Sequence, residues 1–74
     1  MLLDSYLAQR GITSADFGRT LGLKWPYSVN RYLQKLKSGE PNKHYRPPAR
    51  YIQLKIRKLT GGLVNLNDWP EPKE

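Results

Sequence analysis

Glycine and proline punctuation constrains this chain more than any other feature. Gly11, Gly22, Ser38-Gly39 and Gly61-Gly62 each follow a run of apolar residues at spacings of three and four, so the pieces between them read as short helices. Leu3, Tyr6 and Leu7 share one stripe of the first piece, which Gly11 ends. The second has the clearest start: Thr13 can cap the free amides and Asp16 can reach back toward the cap, a capping box with Asp in place of the usual Glu. Ile12 and Phe17 are placed for a hydrophobic staple across the helix entry. Ala15, Phe17, Gly18 and Leu21 follow, and Gly22 stops the helix after roughly two turns.

Leu23 reads as an apolar anchor in the turn, and Trp25-Pro26 opens a third helix with proline at its first position, where a missing amide costs nothing. Its stripe is Val29, Tyr32, Leu33 and Leu36, predicting a helix from about Pro26 to Lys37. The opposite face carries Tyr27, Ser28, Asn30, Arg31, Gln34 and Lys35. Gly39 to Pro48 reads as a loop with Lys43, His44, Tyr45 and Arg46 in it. A fourth helix is expected from near Pro48, with Ile52, Ile56 and Leu59 buried, Tyr51 and Leu63 nearby, and Gly61-Gly62 as its stop. Val64 and Trp69 are expected to pack back on the domain. The expectation is an all-α fold of four to five short helices, one domain over residues 1–69 with a loose tail at 70–74.

A domain of 74 residues buries only about 60% of the surface its unfolded chain exposes, so its core is marginal. With no cysteine and one histidine, disulfides and metals cannot reinforce it, which leaves self-association. The lack of cysteine fits a reducing cytosol. The first residues lack the basic region and apolar run of a secretory signal, and no stretch approaches the roughly 20 apolar residues of a membrane span. The expected setting is therefore cytoplasmic.

Charge is more informative. The chain holds 13 Lys+Arg against 6 Asp+Glu, a net charge of +7 and a pI near 10.0. Between Arg19 and Lys58 eleven basic residues face a single acid, Glu40. Such a field draws polyanions, nucleic acid first and acidic membranes as the competitor. Catalysis needs convergent groups, and here the acids are scattered with no activated nucleophile and no glycine-rich phosphate loop. His44 alone is too few ligands for a metal. No enzymatic activity, cofactor, metal or small-molecule ligand is expected.

A short helix, a glycine turn and a second helix with a polar, basic outer face is the order that major-groove reading requires. Gly18 suits it, because two helices meeting steeply need a small residue at the crossing. The run Gly11-Ile12-Thr13-Ser14-Ala15-Asp16-Phe17, then Leu21-Gly22-Leu23 and Val29-Asn30-Arg31-Tyr32-Leu33, resembles the Cro/CI-type helix-turn-helix domains of phage and mobile-element regulators. Thr60-Gly61-Gly62 and Asn67-Asp68-Trp69 resemble the tail of short members of that group. Val29 comes one residue later after Gly22 than the family pattern, and the Gly39–Pro48 loop is longer.

The resemblance implies a lambda-repressor-like domain that regulates transcription, a homodimer binding an inverted repeat in double-stranded DNA near the nucleoid of a bacterial host. It implies Tyr27, Asn30, Arg31 and Gln34, with Ser28 secondary, as groove-facing residues. Arg suits the two acceptors of guanine, and Asn and Gln suit adenine. Phosphate contacts are expected from Thr13, Ser14, Arg19, Lys24, Lys35, Lys37, Lys43 and Arg46 at the edges. Trp25 and Tyr45 could stack or lie along sugar faces, or simply pack locally. Ile52, Ile56, Leu63, Val64, Leu66 and Trp69 are the candidate dimer surface, with the monomer core as the alternative use of the same residues. The alternative roles are an excisionase or recombination factor that bends DNA, and an antitoxin-like adaptor that masks another protein.

Overall fold

Gly11 and Gly22 cap helices where the spacing predicts, and a further helix ends just before Gly61. In the computed structural model, which describes residues 1–35 and 39–71, α1 spans Leu3–Arg10, α2 spans Ser14–Leu21 and α3 spans Arg50–Leu59. Two 3-10 segments lie at Pro26–Tyr32 and Leu66–Asp68. The described residues form no strand, only an isolated bridge between Lys35 and Pro41. The fold is all-α and built from short helices. Among the described residues no helix is long and apolar enough to cross a membrane.

α2 starts on half of the expected capping box. The Thr13 hydroxyl accepts from the Asp16 amide at 3.1 Å, but the Asp16 carboxylate turns to the Arg19 guanidinium at 2.9 Å. An aspartate is one methylene shorter than the glutamate of the usual box, and Arg19 lies within its reach one turn on. Gly22 then takes a left-handed φ of 78°, and its amide returns to the Arg19 carbonyl.

One apolar cluster holds the elements together: Leu3, Tyr6 and Leu7 of α1, Phe17 and Leu21 of α2, Val29 of the first 3-10 segment, Ile52 and Ile56 of α3, and Val64. Ile12, Leu23, Tyr32, Leu33 and Trp69 pack against it. Tyr6 and Phe17 meet edge to face at 6.4 Å. Full burial of such side chains is worth about 1.5–3 kcal/mol each. Beside this cluster Gly18 meets Pro26, and a Cβ added at Gly18 would lie 2.3 Å from the Pro26 carbonyl oxygen.

The third element departs from expectation. Instead of an α-helix to Lys37, the chain makes a 3-10 segment that ends at Tyr32, and Leu33 is extended. Leu36 and Lys37 lie outside the described residues. The reason is competition for carbonyls. The Asn42 carboxamide donates to the carbonyls of Asn30 at 2.9 Å and Leu33 at 3.0 Å. The Asn42 amide takes the Gln34 carbonyl at 3.1 Å, and the Arg46 amide takes that of Arg31 at 2.7 Å. These are the acceptors that a continuing helix would use. The Gly39–Pro48 stretch is thus a strap bonded to the end of the segment it follows.

α3 buries Ile52 and Ile56 as expected, but Leu59 is exposed and Thr60 takes the next inward position. The Thr60 hydroxyl donates to the Ile56 carbonyl at 2.9 Å and accepts from the Val64 amide at 3.1 Å, leaving that buried group satisfied. Pro70, the first residue of the expected tail, bonds back to the domain. The Tyr45 hydroxyl donates to the Pro70 carbonyl at 2.8 Å, while residues 72–74 lie outside the described part. Asp68 closes the other end, accepting from the Met1 ammonium and the Asn65 amide, each at 2.8 Å.

Three outcomes are expected. Gly18→Ala must push Pro26 away, and overpacking against backbone should lower stability by about 2 kcal/mol, a fall in Tm of roughly 10 °C. Asn42→Ala strips two carbonyls of their donor and should cost about 1–2 kcal/mol. Asn42→Asp, which keeps the acceptor for the His44 amide but loses the donors, should do no better in urea unfolding. The Met1 ammonium, with the Asn65 amide assisting and burial opposing, holds the Asp68 carboxyl below its ordinary 3.8. Its folded value is therefore the lower one, so its contribution is complete above the unfolded value and lost as pH falls through the folded one. Urea midpoints should show Asp68→Asn less stable than the parent at about pH 6, with the gap closing below about pH 3.

Candidate nucleic-acid interface

The 3-10 segment is presented by two clamps, Gly18 against Pro26 at its start and the Asn42 strap at its end. Its geometry reorganises the predicted outer face. At three residues per turn, side chains three apart eclipse one another. Pro26, Val29 and Tyr32 therefore form the inward row, with Val29 fully buried. Tyr27 and Asn30 form a second row and Ser28 and Arg31 a third. Tyr27, Asn30 and Arg31 are exposed, and Ser28 is half-buried.

Gln34 leaves this face. The extended Leu33 turns the chain, and both polar atoms of the Gln34 carboxamide are buried with no hydrogen-bond partner among the described residues. It lies close enough to the Tyr45 phenol to offset part of the upward push that burial gives that group. Tyr45 itself is buried, with its hydroxyl on Pro70, so it offers no stacking surface.

A cleft of about 850 Å³ lies between the start of α2 and the end of the 3-10 segment. It gathers Thr13, Ser14, Asn30, Arg31 and Lys35, which sequence spacing alone leaves apart, and adds His44 from the strap. Asp4 of α1 also lines it, so the cleft is not uniformly cationic. The Thr13 hydroxyl is already engaged in its cap, which leaves its amide end of α2 as the polar contribution. Lys24, Lys43 and Arg46 are exposed outside the cleft, and Lys37 is outside the described residues. Arg19 is paired with Asp16, but both side chains are more than 60% exposed, and a surface pair of that kind exchanges readily for another anion. The other described ion pair is Met1 with Asp68, so the remaining basic side chains have no acidic partner among the described residues.

The proposed dimer residues divide. Ile52, Ile56 and Val64 are buried in the monomer core, so these three are unavailable to a partner without opening the domain, and Trp69 packs half-buried against that core. Leu66 is half-buried, and Leu63, like Leu59 at the end of α3, is exposed. The sequence leaves these residues open between a partner surface and the monomer core, because periodicity does not say which side a neighbour occupies.

Asn42 is the residue that sequence reasoning missed. It sits in a loop read only for its charges, and it organises both the strap and the end of the exposed segment. The available signal was an asparagine after proline in a turn-rich stretch, a type that bonds nearby backbone.

Compared with known proteins, no family profile matches this chain, and neither a curated protein nor a solved structure does.

Proposed function

We propose that this chain binds double-stranded DNA in a sequence-specific way and acts as a Cro/CI-type transcriptional regulator. What carries the reading is one observation: Asn30 and Arg31 are exposed on a clamped segment amid cations without acidic partners. A segment of seven residues in 3-10 geometry is about 14 Å long at about 2 Å per residue. A major groove about 12 Å wide admits it end-first or along its length. Arg31 then reads guanine, Asn30 reads adenine, and Tyr27 and Ser28 contact neighbouring edges. Thr13, Ser14, Lys24, Lys35, Lys43 and Arg46 set register on phosphates, with Arg19 joining once Asp16 releases it.

A homodimer is part of the proposal. Two copies would bind half-sites about 34 Å apart, joined through Leu63, the exposed member of the candidate dimer surface, with the exposed Leu59 added to it. The setting is the cytoplasm of a bacterial host. The unpartnered cations would make affinity fall steeply with salt.

Selection of bound duplexes from a random pool at stated salt, repeated with Asn30→Ala and Arg31→Ala, tests the reading. Each variant is expected to lose preference at defined base positions, at about 1–3 kcal/mol per contact. Lys43→Ala should weaken all sequences alike and reduce the salt slope by about one. If Asn30→Ala and Arg31→Ala weaken every sequence equally, those two residues contact only backbone and base reading by this segment is wrong.

A further inference from the structure

Trp25 keeps 70% of its surface in solvent, and Tyr27, two residues on, keeps 68%. Exposure of an indole to water gives a monomer nothing, since its large apolar area gains free energy only on burial. The Lys24 ammonium lies over this ring, 5.8 Å from its centroid.

The backbone beneath the indole is held firmly. Pro26, the next residue, abuts Gly18, and the Trp25 carbonyl accepts from the Ser28 amide at 2.9 Å. A side chain carried on clamped backbone loses less freedom on binding than one on a loose loop. Trp, Tyr and Arg are also the types that dominate binding energy at interfaces, and Trp25, Tyr27 and Arg31 stand exposed within one short stretch. Tyr27 eclipses Asn30 in the 3-10 geometry, so the aromatic pair borders the row assigned to base reading.

We propose that Trp25 is a direct contact residue for duplex DNA. Its indole face lies on the deoxyribose and base edges beside the bases that Asn30 and Arg31 read, and the Lys24 ammonium sits on the adjoining phosphate. The assignment rests on the duplex-binding reading above and deepens it, adding an apolar contact to a surface otherwise described by charge and hydrogen bonds. The two residues divide the work by chemistry. Lys24 releases counterions and its contribution falls with salt, whereas the indole excludes water and its contribution does not.

The test titrates the full chain with a selected duplex over a salt series and measures acrylamide quenching of tryptophan fluorescence in parallel. Trp69, half-buried against the core, serves as the internal reference. DNA should shield the Trp25 component from acrylamide and leave the Trp69 component unchanged. Trp25→Ala should melt with the parent, bind roughly tenfold more weakly and keep the parental salt slope. Trp25→Phe should retain most of the affinity. Lys24→Ala should instead reduce the slope by about one. If the duplex binds in an Arg31-dependent way while acrylamide reaches Trp25 as freely as before and Trp25→Ala binds like the parent, the contact is wrong and the duplex-binding reading stands. A changed salt slope in Trp25→Ala would equally overturn an apolar contact. If no duplex is bound at any salt, both fall together.

Discussion

The close approach of Gly18 to Pro26 is the constraint on which the rest of this structure depends. A backbone carbonyl occupies the space that any side chain on α2 would fill at that point, so the following segment can lie directly on the helix. The approach sets the angle at which the chain leaves the Gly22 turn and carries Val29 into the core. In a domain this small each core residue is a large fraction of the total stability, and displacing Val29 would weaken every other contact in the cluster. The same approach brings Trp25 and Tyr27 to the surface on either side of the proline.

A second constraint acts at the far end of the exposed segment. Asn42 offers amide donors from a side chain and a backbone to carbonyls that a longer helix would have used internally. The exchange is close to even in hydrogen bonds, so tertiary placement of the strap decides between a long helix and a short 3-10 run. It has an electrostatic consequence. Because the strap is bonded to Asn30, Arg31, Leu33 and Gln34, the stretch that carries Lys43, His44 and Arg46 is fastened to the segment that carries Arg31, and His44 lines the same cleft as Arg31. Charges spread along the sequence become one local field, which draws an anion more strongly than the same charges scattered.

Much of the fold is legible in the residues. The stripe of Leu3, Tyr6 and Leu7, the Thr13 cap, and Phe17 and Leu21 all behave as helical spacing requires. Ile52 and Ile56 follow the same rule, and so does the crossing at Gly18. The candidate site is legible in part. Tyr27, Asn30 and Arg31 are exposed as the polar face demands, whereas Gln34 is not, because it lies past the point where the strap ends the helix. Ile52, Ile56 and Val64 lie in the monomer core, one of the two places the sequence leaves open for them, because an apolar stripe specifies that something covers it without saying what.

Local chemistry by itself determined where α1, α2 and α3 begin and end to within a residue or two, which side chains turn inward within a turn or two, and the strongly basic balance of the middle of the chain. Those properties depend on neighbours three or four residues away, which a reader of the sequence can see. Only the tertiary structure decided that the third element is a 3-10 run, that Tyr45 and Gln34 are buried, and that Pro70 is fastened to the domain. Each of these turns on a hydrogen bond or contact between residues far apart in sequence, where the competing local and distant partners differ by about a kilocalorie and spacing alone cannot choose between them.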